Sequence, residues 1–242
     1  MAERVKINEQ EYLLPTSISD INLGTFIEWT KIEAEQMPDE LRTIVEEKDD
    51  ELKQLKARRL PKRVYIRKLV PYYARIVSLV SGIPVNILLG DKQHQGCPIV
   101  ILENWYWRTV NALAGFQYDP DRREFVIDGQ LWTLPEPNMM RSTFGEFAEA
   151  AQYEEYAADV AAGNWDKMPY VMAVLVKPQG EVYDPYKFDD DSFIEARAET
   201  MRRQPMDLVY QVSFFLLERN ENLRADSLIY MLARLLATSK RA

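Results

Sequence analysis

His94 and Cys97 are the only histidine and the only cysteine of this 242-residue chain, and they stand three positions apart in Gln93-His94-Gln95-Gly96-Cys97-Pro98. A thiolate beside an imidazole is an activated nucleophile, but such dyads are usually assembled from segments far apart in sequence. A loop histidine and a small buried thiol make the simpler account. A Ser-His hydrolase would need the same histidine, and the chain has no Gly-x-Ser-x-Gly elbow. Zinc needs four ligands that the sequence does not group. Neither glycine-rich phosphate motif occurs, so no nucleotide cofactor is expected. Asp189-Asp190-Asp191 lacks the alternating ligands, central glycine and terminal glutamate of a calcium loop. Carboxylates are plentiful, and a glycosidase-like pair can be drawn from distant positions, yet nothing singles one out. The sequence therefore assigns no catalytic, cofactor or metal residue.

Residues suited to docking stand out more clearly. Acidic Glu46-Glu47-Lys48-Asp49-Asp50-Glu51 gives way to Lys56, Arg58, Arg59, Lys62, Arg63, Arg67 and Lys68, and Asp91 is the one carboxylate between Lys53 and Lys92. This is a basic island on a chain of net charge −8 and pI near 5.0. Either it is a solvated helix face that pairs with the acids before it, or it meets an acidic partner. Arg58, Arg59, Lys62 and Arg63 are its candidate contacts. A second candidate surface is the run Trp105-Tyr106-Trp107. Three consecutive aromatics cannot all face inward from one helix, so at least one should point at the other half of the chain or at a partner. The overall acidity argues against direct nucleic-acid binding, which depends on Lys and Arg.

These residues are carried by a chain that repeats itself. Lys6-Ile7-Asn8-Glu9-Gln10-Glu11-Tyr12-Leu13-Leu14-Pro15 returns as Val126-Ile127-Asp128-Gly129-Gln130-Leu131-Trp132-Thr133-Leu134-Pro135, an offset of 120. Leu23-Gly24-Thr25-Phe26-Ile27-Glu28 returns as Phe144-Gly145-Glu146-Phe147-Ala148-Glu149. A period near 120 implies two domain-sized units. Each opens with a hairpin around Asn8-Glu9 or Asp128-Gly129, stopped by Pro15 or Pro135, and then a helix capped by Asn22 or Thr143, the latter with Glu146 as a capping box. The pattern predicts an α+β, mostly helical protein with one unit over 1–118 and another over 119–242, and Asp119-Pro120-Asp121 as the linker.

Within the first unit, residues 39–60 predict a charged, projecting helix with a narrow apolar stripe. Val64 to Leu89 reads as the core helix, kinked or restarted at Pro71 and ended by Gly82 and Pro84. Pro98 to Ala114 reads as another buried helix. In the second unit, Pro169 to Lys177 fits a helical turn or a strand, Ser192 and Glu195 spell a capping box, and Pro205–Leu217 and Leu223–Leu236 read as apolar helices, with Lys240-Arg241 complementing the last helix dipole. No stretch is long and apolar enough for a membrane span, and Met1-Ala2-Glu3-Arg4 lacks a signal core, so synthesis in the cytoplasm is expected.

The hairpin ending in Leu-Pro, followed by Leu23-Gly24-Thr25-Phe26-Ile27-Glu28, resembles the openings of tail assembly chaperones and related virion structural proteins of tailed bacteriophages. So does Thr143-Phe144-Gly145-Glu146-Phe147. Tyr73-Ala74-Arg75-Ile76-Val77-Ser78-Leu79-Val80-Ser81-Gly82-Ile83-Pro84 is similar to the apolar helix and Gly-Ile-Pro segment of those proteins, as is Met172-Ala173-Val174-Leu175-Val176-Lys177-Pro178 to a later part. The resemblance implies a non-enzymatic morphogenesis protein made in the host cytoplasm, either a chaperone or a component of the particle. Its partners would be other phage structural proteins or further copies of itself. The long charged segment and the second hairpin depart from that pattern. An enzyme of unrecognised type using carboxylates and a cellular interaction adaptor are the alternatives.

Overall fold

The computed structural model describes residues 2–7, 9–45, 50–91, 95–135, 164–182, 184, 187 and 190–216. The chain is α+β and mostly helical, with two small antiparallel sheets. It divides into two units: Met1–Phe116 with Pro205–Asp207, and Gln117–Gln204 with Leu208–Ala242. No helix among the described residues is long and apolar enough to cross a membrane.

The first unit opens with β1 (Glu3–Ile7) and β2 (Gln10–Leu14), paired from Ile7↔Gln10 to Glu3↔Leu14. Alternation fixes which face is inside: Tyr12 and Leu14 are buried while Leu13, between them, is exposed. Asp20 closes the turn that follows. Its carboxylate accepts from the Thr16 and Ser17 backbone N–H groups, both at 3.0 Å, and from Ser17 Oγ at 3.1 Å. Partial burial pushes that carboxyl up, but the three hydrogen bonds outweigh it and leave the pKa below its ordinary value. Helix α1 (Leu23–Gln36) is capped as its sequence predicts, with Asn22 Oδ1 accepting from Thr25 N at 2.8 Å. Leu23, Phe26, Ile27 and Trp29 form its buried face.

The charged segment differs from expectation. Among the described residues it gives two helices, α2 (Asp39–Val45) and α3 (Asp50–Arg58), which contact each other; residues 46–49 between them lie outside the described residues. Leu41, Ile44 and Ala57 are buried, so the narrow apolar stripe is covered by the fold itself. Polar ties hold the segment down as well: Arg42 donates to the carbonyls of Glu33 and Ala34, and Lys68 Nζ lies 2.6 Å from Glu40.

A helical turn at Lys62–Val64 runs into a π turn at Tyr65–Leu69 and on into α4 (Val70–Ser81). Pro71 explains the π turn. Proline has no N–H, and its ring would strike the carbonyl four residues back, so the turn before it widens and Val70 N–H donates to Tyr65 O. The helix thus passes through the proline. It ends at Gly82, whose φ of 74° is the left-handed cap, with its N–H donating to Ser78 O at 2.9 Å. Short α5 (Val85–Leu89) and long α6 (Ile99–Ala114) follow. Cys97 N–H donates to Leu88 O at 2.9 Å, drawing Gly96 so close that a Cβ there would meet the Leu89 and Gly90 backbone at 2.7 Å.

The second unit repeats the opening hairpin. Strands β3 (Glu124–Ile127) and β4 (Gln130–Thr133) pair from Ile127↔Gln130, matching Ile7↔Gln10. Asp128 and Gly129 both have positive φ, 50° and 77°, as a two-residue Asp-Gly turn requires. The apolar run after Pro169 resolves into both readings at once: helix α7 (Met168–Leu175), then a two-residue strand β5 (Lys177–Pro178) against β4. Helix α8 (Asp191–Arg202) follows, and α9 spans 206–216. The expected Ser192–Glu195 capping box is replaced by Asp190, whose carboxylate accepts from Ser192 N and Oγ. Glu195 instead takes the Tyr170 hydroxyl at 2.7 Å and Arg202 at 3.2 Å.

Asp119-Pro120-Asp121 is not a loose linker. Buried Gln211 accepts from Asp119 N and donates to the carbonyls of Asp119 and Arg122, fastening the stretch to the second unit. The proposed helix start at Thr143, the apolar segment Leu223–Leu236, Lys240-Arg241 and His94 lie outside the described residues.

Candidate docking surface

The strongest arrangement of charge in the first unit starts from one carboxylate. Glu103 is the only acid in the apolar helix α6, and its side chain is 2% exposed. Burying a carboxylate alone is costly, so it requires a cation. Arg58, at the end of α3, supplies it: Nε lies 3.2 and 3.0 Å from the two carboxylate oxygens. Arg58 keeps about half of its side chain in solvent, so the pair sits where the core meets the surface. Tyr65, in the π turn, faces the same acid. Burial first, and then the Glu103 charge, push its hydroxyl above the ordinary tyrosine range.

Behind this pair the aromatics close the core. Tyr73 stacks on Tyr106 with centroids 4.2 Å apart, and Trp107 meets both edge-on at 6.4 and 5.1 Å. Each such contact contributes about 1 kcal/mol beyond area burial. Burial raises the hydroxyl pKa values of Tyr72, Tyr73 and Tyr106. Tyr106 and Trp107 are each 1% exposed, which removes them from the candidate contacts: their rings are the partners of Tyr73, not of another protein. Trp105 is half-buried and is the member of the triplet turned away from this core.

The basic candidates divide in the same way. Arg58 is committed to Glu103, and Lys68 to Glu40. Arg59, Lys62, Arg63 and Arg67 are exposed, and among the described residues none has an ion-pair partner or a side-chain hydrogen bond. The same unit exposes aliphatic side chains expected inside: Ile66 is 41% exposed, and Ile99, Val100 and Ile101 are 40, 60 and 40% exposed. The sequence signal that marks this edge is Glu103 itself, a lone acid in an apolar helix. Its partner was invisible because Arg58 lies 45 residues away.

The second unit holds a buried ion pair of another kind. Arg197 Nη1 lies 2.9 Å from Glu181, Nη2 donates to Val176 O at 3.0 Å, and the guanidinium lies over Trp132 and Phe193 at 5.0 and 5.4 Å. Its side chain is 8% exposed.

Neither ion pair resembles a pair of acids prepared for proton transfer. Among the described carboxyl groups, Glu33 is the one that burial pushes above its ordinary pKa, opposed by nearby Arg42 and a Trp29 hydrogen bond. Cys97 is partly buried, which raises its thiol and makes it a poorer nucleophile. No group of acids, Cys or His suited to a metal ion occurs among the described residues. No family model, curated protein or solved structure matches this chain.

Proposed function

We propose that this protein is a non-enzymatic morphogenesis factor of a tailed bacteriophage, working through protein–protein contacts as a tail assembly chaperone or as a component of the tail or neck. The observation that carries the contact-forming part is the set of four exposed cations without a partner among the described residues, in a unit that also exposes aliphatic side chains. A surface of that composition is stabilised by association, since the aliphatics leave water and the cations gain counter-charges. The phage part is supported by the resemblance of both hairpin-and-helix openings and of the Tyr73–Pro84 segment. The short hairpin β1–β2 adds a second means of contact, strand addition along a free edge.

Mass spectrometry of purified particles and of the infected-cell extract tests this directly. Stoichiometric peptides in the particle identify a structural component. Abundance in the extract, in complex with tail proteins, and absence from the particle identify a chaperone. A chain found in neither particles nor complexes with virion proteins overturns the proposal.

A further inference from the structure

The orientation of two helices in the first unit brings charge and apolar surface to one end. Tyr65 meets Glu103, and further along both helices Tyr73 meets Tyr106 and Trp107. The segment 62–81 and α6 therefore point their N-terminal ends the same way. Ile99 and Val100 precede Glu103 by four and three residues, so they lie on its side of α6, one turn or about 5 Å nearer that end. Lys62 stands one turn before Tyr65, and Arg59 follows directly on Arg58, which grips Glu103. Arg59 and Lys62 thus share one edge with the aliphatics, whereas Arg63 and Arg67, about 160° round the helix from Tyr65, point away from α6.

Building on the docking reading above, we propose that this edge, where Arg59 and Lys62 stand with Ile66 beside the aliphatic first turn of α6, binds an acidic amphipathic helix of a partner protein. Charge complementarity selects the occupant. Lys62 to Ile66 span about 6 Å along their helix, which suits a carboxylate and an apolar side chain three or four apart on a partner helix of two or three turns. The aliphatics receive its apolar stripe, the arrangement of a helix laid in a groove.

An extended polyanion fits less well. Residues 1–116 carry 16 acids and 16 bases, whereas 117–242 carry 22 acids and 14 bases. The entire excess of negative charge therefore belongs to the second half and repels a nucleic acid or an anionic membrane at long range, while a short helix needs only the local patch.

The test uses the full chain and a fluorescein-labelled 16-residue helix of Glu and Leu with its leucines on one face, read by anisotropy at low salt. Binding is expected to weaken about tenfold in the double variant K62E/R63E, chiefly through slower association and a shallower salt dependence. V100D is expected to weaken it about fivefold through faster dissociation, and a scrambled peptide without a leucine face by about tenfold. Circular dichroism melts of each variant confirm that the fold is kept. The site is overturned if the peptide does not bind, if K62E/R63E binds it unchanged, or if a DNA duplex or phosphatidylserine vesicles bind more tightly than the peptide. Failure of the peptide while the chain still forms complexes with virion proteins would sink this site alone; loss of those complexes as well would sink the docking reading.

Discussion

Among the described residues each unit buries one Arg–Glu pair, and the two pairs are turned inside out. In the second unit the arginine is the buried partner: Arg197 lies over Trp132 and Phe193, reaches Glu181 and donates to a backbone carbonyl, with 8% of its side chain in solvent. In the first unit the acid is buried and the arginine half exposed. A buried guanidinium satisfied on several sides organises a core. A buried acid held by an arginine at the rim leaves a cationic edge that remains available. The contrast separates a pair that serves folding from one that borders the proposed binding surface.

The comparison is most easily broken at Arg197. Replacement by methionine strips Glu181 of its counter-charge and the Val176 carbonyl of a donor, and should cost about 3–5 kcal/mol in urea unfolding; a loss below 1 kcal/mol would mean that the pair is not structural. The reciprocal change, E103L, should cost less, about 1–2 kcal/mol, because the freed Arg58 can turn into water. If E103L proves as damaging as R197M, the two pairs are equivalent and the distinction fails. Asp20 provides a calibration. Its lowered pKa means that its stabilisation is present above the unfolded-state value and is lost as pH falls through the lower folded-state value. D20N should therefore cost roughly 1 kcal/mol at neutral pH, with wild type and variant converging once the pH falls below the folded-state value. The smallest effect belongs to K62E/R63E, within about 0.5 kcal/mol of wild type, since neither side chain has a partner among the described residues.

What could be read from the residues follows the range over which their interactions act. Both hairpins, with Asp128-Gly129 at positive φ, the Asn22 cap and the Gly82 stop are local, decided by a few neighbouring residues, and each stands where its sequence predicts. The Ser192 start was misjudged by two positions because Asp190 caps the helix instead, accepting from Ser192 N and Oγ. The charged segment was misjudged more seriously. Its apolar residues are few enough to suggest a solvated rod, yet Leu41, Ile44 and Ala57 suffice to fold it as two packed helices. Aromatic adjacency correctly required that one of Trp105, Tyr106 and Trp107 face away, but which one depends on Tyr73, more than thirty residues earlier. The docking edge was half legible: its cations stand in a row, whereas the exposure of Ile99–Ile101 is a property of the tertiary fold.

The wide turn ahead of Pro71 also sets a bearing. One residue more or fewer in a helix rotates everything upstream by about 100° about the axis. A single deletion within Tyr65–Leu69 would swing Lys62 and Arg63 to a different azimuth while leaving α4 and its tyrosines seated. Lengthening or shortening this stretch by one position would re-aim a whole cluster of side chains without changing a single one of them.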